Sequence, residues 1–170
     1  MPMTLFRTFT ILLVTLLTGL AFAHVLELPA KMQYEAAMYI ALQKSLYVQW
    51  GPPNVGGVLE PAAIIATAIM AFFGRNTKRS LWLSLGALTA LQIAFPVVFF
   101  VLVAPVNAVF MATTLLSIPV NWKELRVNWE FGHAIRSLLL LLLALDTKDI
   151  LGIQRNALSA NRMDAYELRY

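Results

Sequence analysis

The chain has no cysteine, and only 13% of its 170 residues carry a formal charge. The first absence excludes disulfides, iron–sulfur clusters, thiolate zinc sites and cysteine nucleophiles. The second excludes an ordinary soluble domain, which carries about 25% charged residues. Also missing are a Gly-rich phosphate loop, a nucleophile elbow and the clustered basic face that nucleic acid requires, so no nucleic-acid partner is expected. What abounds is apolar: 59% of the residues, with a mean hydropathy of +0.71. The length is that of one domain. These proportions describe an integral membrane protein whose chemistry rests on few polar groups.

Apolar runs fall at 5–28, 58–74, 81–104 and 121–145, the last with a polar run-in. A membrane-spanning helix needs about 20 residues, and in lipid only helices and closed barrels satisfy the backbone. The expectation is an all-α, four-helix membrane bundle over residues 1–145, followed by a polar cytoplasmic tail over 146–170. The first run, with Ala21-Phe22-Ala23 before His24, also has the pattern of a signal peptide with its cleavage site. It is read here as the first transmembrane helix. Arg7, Arg75, Lys78, Arg79, Lys148, Arg155, Arg162 and Arg169 would share one side, against Lys31, Lys44, Lys123 and Arg126 on the other. That bias places both termini in the cytoplasm, in a plasma-membrane protein. Gln33 to Trp50 reads as an amphipathic helix on the outer face, with Tyr39, Leu42 and Leu46 as its apolar stripe. Pro29 is expected to kink the first helix, and Pro105-Val106-Asn107 to end the third.

On this topology the polar residues collect toward one membrane face: His24 and Glu27 on the first helix, Glu60 on the second, Asn107 after the third. The fourth helix opens with Asn121 and Glu124, the spacing of a capping box. Along it Trp122, Arg126, Trp129, His133 and Arg136 recur at steps of 4, 3, 4 and 3, one face of a helix. At ~1.5 Å per residue these five positions cover about 21 Å. Arg136 within a span needs a carboxylate, and Glu60 or Glu27 stand at suitable depth. Trp and Arg also favour membrane boundaries for reasons unrelated to any ligand. The two histidines, His24 and His133, sit at one depth on different helices, an arrangement that also suits a bis-His haem or a metal, with Ala21, Ala23, Gly132 and Ala134 leaving room.

Several segments together resemble a known family. They are His24-Val25-Leu26-Glu27-Leu28-Pro29-Ala30-Lys31, Leu46-Tyr47-Val48-Gln49-Trp50-Gly51-Pro52-Pro53, Pro105-Val106-Asn107, and Trp122 through Trp129-Glu130-Phe131-Gly132-His133-Ala134-Ile135-Arg136. They are similar to the small four-helix membrane proteins that include the anthrone oxygenases of aromatic polyketide pathways, over residues 5–145. The resemblance implies cofactor-independent oxygenation of a polycyclic phenol, with His133 as base and Trp122 or Trp129 as stacking walls. Spacing adds Arg136 or Arg126 as anion stabiliser, and His24, Glu27, Glu60 and Asn107 as further ligand contacts. Three settings stay open: an oxygenase without cofactor, a haem bundle through His24 and His133, or a non-catalytic lipid or quinone binder. The last setting includes an accessory subunit of a larger membrane complex, and a homo-oligomer is open in any of the three.

Overall fold

The computed structural model describes residues 2–143 and is all-α, with no strand among the described residues. The polar tail expected over 146–170 lies outside the described residues. Helix α1 runs Pro2–Lys31. Helix α2 joins Ala36–Leu42, a wide π-helical turn at Gln43–Tyr47, and Val48–Trp50. Helix α3 is Val55–Gly74. Helix α4 is one continuous rod, Lys78–Ala112, containing two π turns at Ile93–Val97 and Phe99–Val103. Helix α5 covers 122–143.

Three of these, Met3–Lys31, Val55–Gly74 and Lys78–Ala112, are long and apolar enough to cross a membrane among the described residues. Their outward faces carry Leu12, Leu16, Ile65, Phe72, Phe100 and Val101, all exposed. An apolar belt of that extent suits a lipid neighbour and not water. Helix α5 joins them: its Leu140 and Leu143 interleave with Leu13, Leu17, Ala63 and Leu91 in one core. A second core, Tyr39, Tyr47, Phe99, Val103, Phe110 and Trp129, lies under α2. Helix α2 therefore caps one end of the assembly.

Several boundaries differ from the sequence expectation. Pro29 lies inside α1, which continues past it for two residues to Lys31. Pro105 and Asn107 do not end the third apolar helix. Pro105 sits at the second position after the second π turn, and the helix continues to Ala112. The buried stripe of α2 is Tyr39, Ile40, Gln43 and Tyr47, whereas Leu46 is exposed, because the π turn shifts the helical phase. Helix α5 starts where expected, but its first turn closes through backbone alone: Asn121 O accepts from Glu124 N at 3.0 Å and Leu125 N at 3.1 Å. No capping side-chain bond forms there among the described residues.

The cap is held tightly. Asn54 donates its side-chain amide to Val48 O at 2.8 Å, closing the turn between α2 and α3. At Gly56 a Cβ would lie 2.6 Å from Trp50 O, so only glycine lets α3 start this close to the end of α2.

Candidate functional site

Beneath α2 lies a cavity of about 130 Å³. That is roughly ten times the ~10–15 Å³ one water needs, enough for a small organic molecule. Its centre is a pair of imidazoles. The His24 and His133 rings stack with centroids 4.0 Å apart and planes 35° apart. Around His24 stand Tyr47 at 5.0 Å, Trp50 at 5.2 Å and Trp129 at 5.0 Å, a box of flat faces. Trp129 also touches His133, at 4.1 Å. Its indole N–H donates to Asn107 Oδ1 at 2.7 Å, which fixes the ring as a wall.

The floor is an ion pair. Arg136 meets Glu60 through Nη2 and Oε1, so of the two carboxylates named from the sequence Glu60 takes the partnership. The guanidinium also lies 5.5 Å from the Phe99 ring. One side is α4: Leu91, Phe95, Phe99, Val103, Asn107 and Met111 line the cavity, with Ala94 and Phe110 beside them.

Five buried polar atoms on cavity-lining residues have no partner in the protein: His24 Nδ1, His133 Nε2, Gln43 Nε2, Glu60 Oε2 and Arg136 Nε. Leaving such a group unsatisfied costs about 1–3 kcal/mol each. In folded proteins such groups are usually met by a protein partner or by ordered water.

Behind the Tyr47 and Trp129 walls runs a second polar network. Lys31 is 1% exposed; its Nζ lies 2.7 Å from Glu130 Oε2 and 3.9 Å from Glu27 Oε2. The same ammonium sits 5.0 Å from the Tyr47 ring and 5.1 Å from the Trp129 ring. Tyr39 donates its hydroxyl to Glu130 at 3.0 Å, and Tyr47 donates to Glu27 at 2.7 Å. Burial, reinforced by Glu130, pushes the Tyr39 phenol far above its usual range, and burial with the Glu27 bond does the same to Tyr47. Both hydroxyls therefore stay protonated donors.

Six of the nine residues singled out from the sequence line the cavity: His24, Glu60, Asn107, Trp129, His133 and Arg136. Glu27, Trp122 and Arg126 do not. Arg126 lies ten residues before Arg136, about 15 Å along the helix. It donates to Lys31 O at 3.2 Å and Tyr34 O at 3.0 Å, capping the carbonyl end of α1 where a cation is favoured. Trp122 flanks that guanidinium at 4.7 Å, and Glu27 turns to Tyr47 and Lys31. Sequence reasoning missed Gln43, Tyr47, Trp50 and Glu130. A usable signal for the first two was the step of four from Tyr39 to Gln43 to Tyr47; for Glu130 it was the need of buried Lys31 for a carboxylate.

The geometry does not suit a haem held by the two histidines. Axial ligands stand on opposite faces of the iron with the macrocycle between them, whereas these rings touch. Nor does Gly132 clear space for a ring system: a Cβ there would lie 2.9 Å from Val103 Cγ2 and 3.2 Å from Leu102 Cβ, so α4 fills that gap. Compared with protein-family models, curated proteins and solved structures, the chain matches none of them, and the chemistry of the site rests on its own residues.

Proposed function

We propose that the chain is a four-span membrane protein whose α2-capped half faces outward, with cytoplasmic termini, and that it oxygenates a planar phenolic ligand without a cofactor, as anthrone oxygenases do. The observation that carries this reading is the stacked His24–His133 pair, buried in an aromatic box with a nitrogen of each ring unpartnered. A neutral imidazole with a free ring nitrogen can accept a proton, and histidine is the side chain most often used as a general base.

An anthrone-type carbon carries an acidic CH₂ between two aromatic rings and opposite a ketone. His133 takes one proton, and the carbanion spreads its charge through the rings. Arg136 supplies positive charge beside it, in a low-dielectric setting where that matters most. The carbanion passes an electron to dioxygen and the resulting pair combine, forming a C–O bond. Cleavage of the O–O bond with loss of the second hydrogen leaves a ketone. Both hydrogens and the second oxygen atom depart as water, so CH₂ and O₂ become C=O and H₂O. Trp129, Trp50 and the α4 row give flat, apolar walls and exclude bulk water. Tyr47 and the partly exposed Glu27 offer the proton a way out.

His133→Ala in nanodiscs should lower conversion of anthrone to anthraquinone about 10²–10⁴-fold, read by anthraquinone absorbance, while quenching of tryptophan fluorescence by the ligand persists. Unchanged turnover in folded protein would sink the reading. Quenching without turnover in the wild type favours the second reading, a quinone-binding or accessory subunit, to which the five unpartnered polar atoms apply equally.

A further inference from the structure

The mechanism above uses the floor of the cavity and leaves its roof unexplained. Gln43 is 4% exposed, lines the cavity from α2, and its amide nitrogen has no hydrogen-bond partner in the protein. Its neighbours make that absence telling. Val48, Phe99, Val103 and Phe110 around the same space are apolar, and a bare amide among them costs free energy unless something accepts its N–H. Its placement is built into the backbone as well. Gln43 opens the π turn Gln43–Tyr47, and that wider turn brings Gln43 and Tyr47, four residues apart, to the same buried face. Single π turns inside α-helices are rare and recur at functional sites.

Tyr39, one turn earlier, fixes the depth. Its hydroxyl gives its proton to Glu130 at 3.0 Å and offers its oxygen to the Gln43 amide, which carries two hydrogens, so one is left for the cavity. Glu130 and Arg136 are six residues apart on α5, roughly 9 Å of rise.

We infer that Gln43 reads one end of the ligand: its amide donates to an oxygen at the roof edge while Arg136 faces the opposite edge. The ligand class is a planar ring system with an acceptor oxygen at the roof edge; at the Arg136 edge a quinone carries a second oxygen and an anthrone its CH₂. The inference rests on the oxygenase reading only for the identity of that ligand as an anthrone; there the ketone oxygen at the roof is where the carbanion's charge gathers. His133 and Arg136 then face the CH₂ carbon and the oxygen bound to it.

The test is binding, not turnover. Quenching of tryptophan fluorescence in nanodiscs is titrated with 9,10-anthraquinone and with anthracene, which has the same three rings and no oxygen. Wild type should prefer anthraquinone. Gln43→Met, of similar volume, should weaken anthraquinone about tenfold, the usual worth of one hydrogen bond, and leave anthracene unchanged. Gln43→Glu, which sets an acceptor against an acceptor, should weaken anthraquinone further. Equal losses for both ligands, no loss for either, or no preference in the wild type overturns the inference. His133-dependent turnover is a separate readout, so an intact His133 effect with an inert Gln43 discards this inference alone. Failure of wild type to turn over anthrone, with the Gln43 preference intact, discards only the oxygenase reading.

Discussion

The half of the bundle under α2 and the half at the opposite end are made from the same helices but built on different physics. Lys31, Glu60, Arg126, Glu130 and Arg136, the buried charged residues among those described, all lie in the capped half. The opposite half packs leucine and alanine from α1, α3, α4 and α5. Its buried polar groups are hydroxyls: Thr10, Thr18, Thr67, Ser84 and Ser137. Thr10 and Thr18 donate to the carbonyl four residues back, at 2.9 and 2.8 Å, so they cost the bundle almost nothing. An apolar core would have sufficed to hold either half together. Charges in only one of them mark a requirement other than stability, since buried ion pairs can often be replaced by apolar residues without loss.

The largest effect expected from this contrast is at the floor. Arg136→Leu leaves Glu60 buried and unpaired, which should cost about 3–5 kcal/mol in denaturant unfolding, and adding Glu60→Leu should restore most of it. A single variant as stable as wild type would show that the two halves do not differ in electrostatic coupling. Next comes the joint between cap and bundle. Gly56→Ala drives a methyl into Trp50 O, a backbone atom with little room to yield, and should cost about 1–3 kcal/mol in thermal unfolding. Ligand binding should fall with it, since α2 roofs the cavity. The smallest effect belongs to the opposite half. Thr67 and Ser137 have hydroxyls without a partner, so Thr67→Val and Ser137→Ala remove an unsatisfied buried group and should raise stability, by about 1 kcal/mol. A large loss at either site would mean that this half also holds a polar network.

The division between the halves was partly legible in the sequence. The stripe on α5 could be read because an α-helix repeats faithfully: Arg126, Trp129, His133, Arg136, Leu140 and Leu143 are all buried. Convergence of His24, Glu60 and Asn107 on that stripe followed from depth alone. Partnerships were not legible where they join distant segments. Glu130 meets Tyr39 and Lys31 from 91 and 99 residues away, and no local pattern specifies such a pair. Arg126 was misread because a guanidinium on the right face can serve a helix end as well as a ligand. Gln43, Tyr47 and the α4 wall were hidden for a different reason: the 3.6-residue rule does not hold through a π turn.

That wall has a consequence in residue number. Leu91, Phe95, Phe99, Val103, Asn107 and Met111 follow one another at intervals of four. On an unbroken α-helix, at about 100° per residue, each interval overshoots a full turn by about 40°, and the ends of the row would diverge by about 200°. The two π turns absorb that drift, so α4 keeps one straight edge toward the cavity across five intervals. The helix works as a counter: the length of the segment between Ile93 and Val103 matters as much as its composition. Inserting one residue there, with no further π turn to absorb it, would swing everything beyond it by about 100°. Asn107 would leave Trp129, and Met111 would turn toward lipid, although every side chain facing the cavity from the other helices would remain as it was.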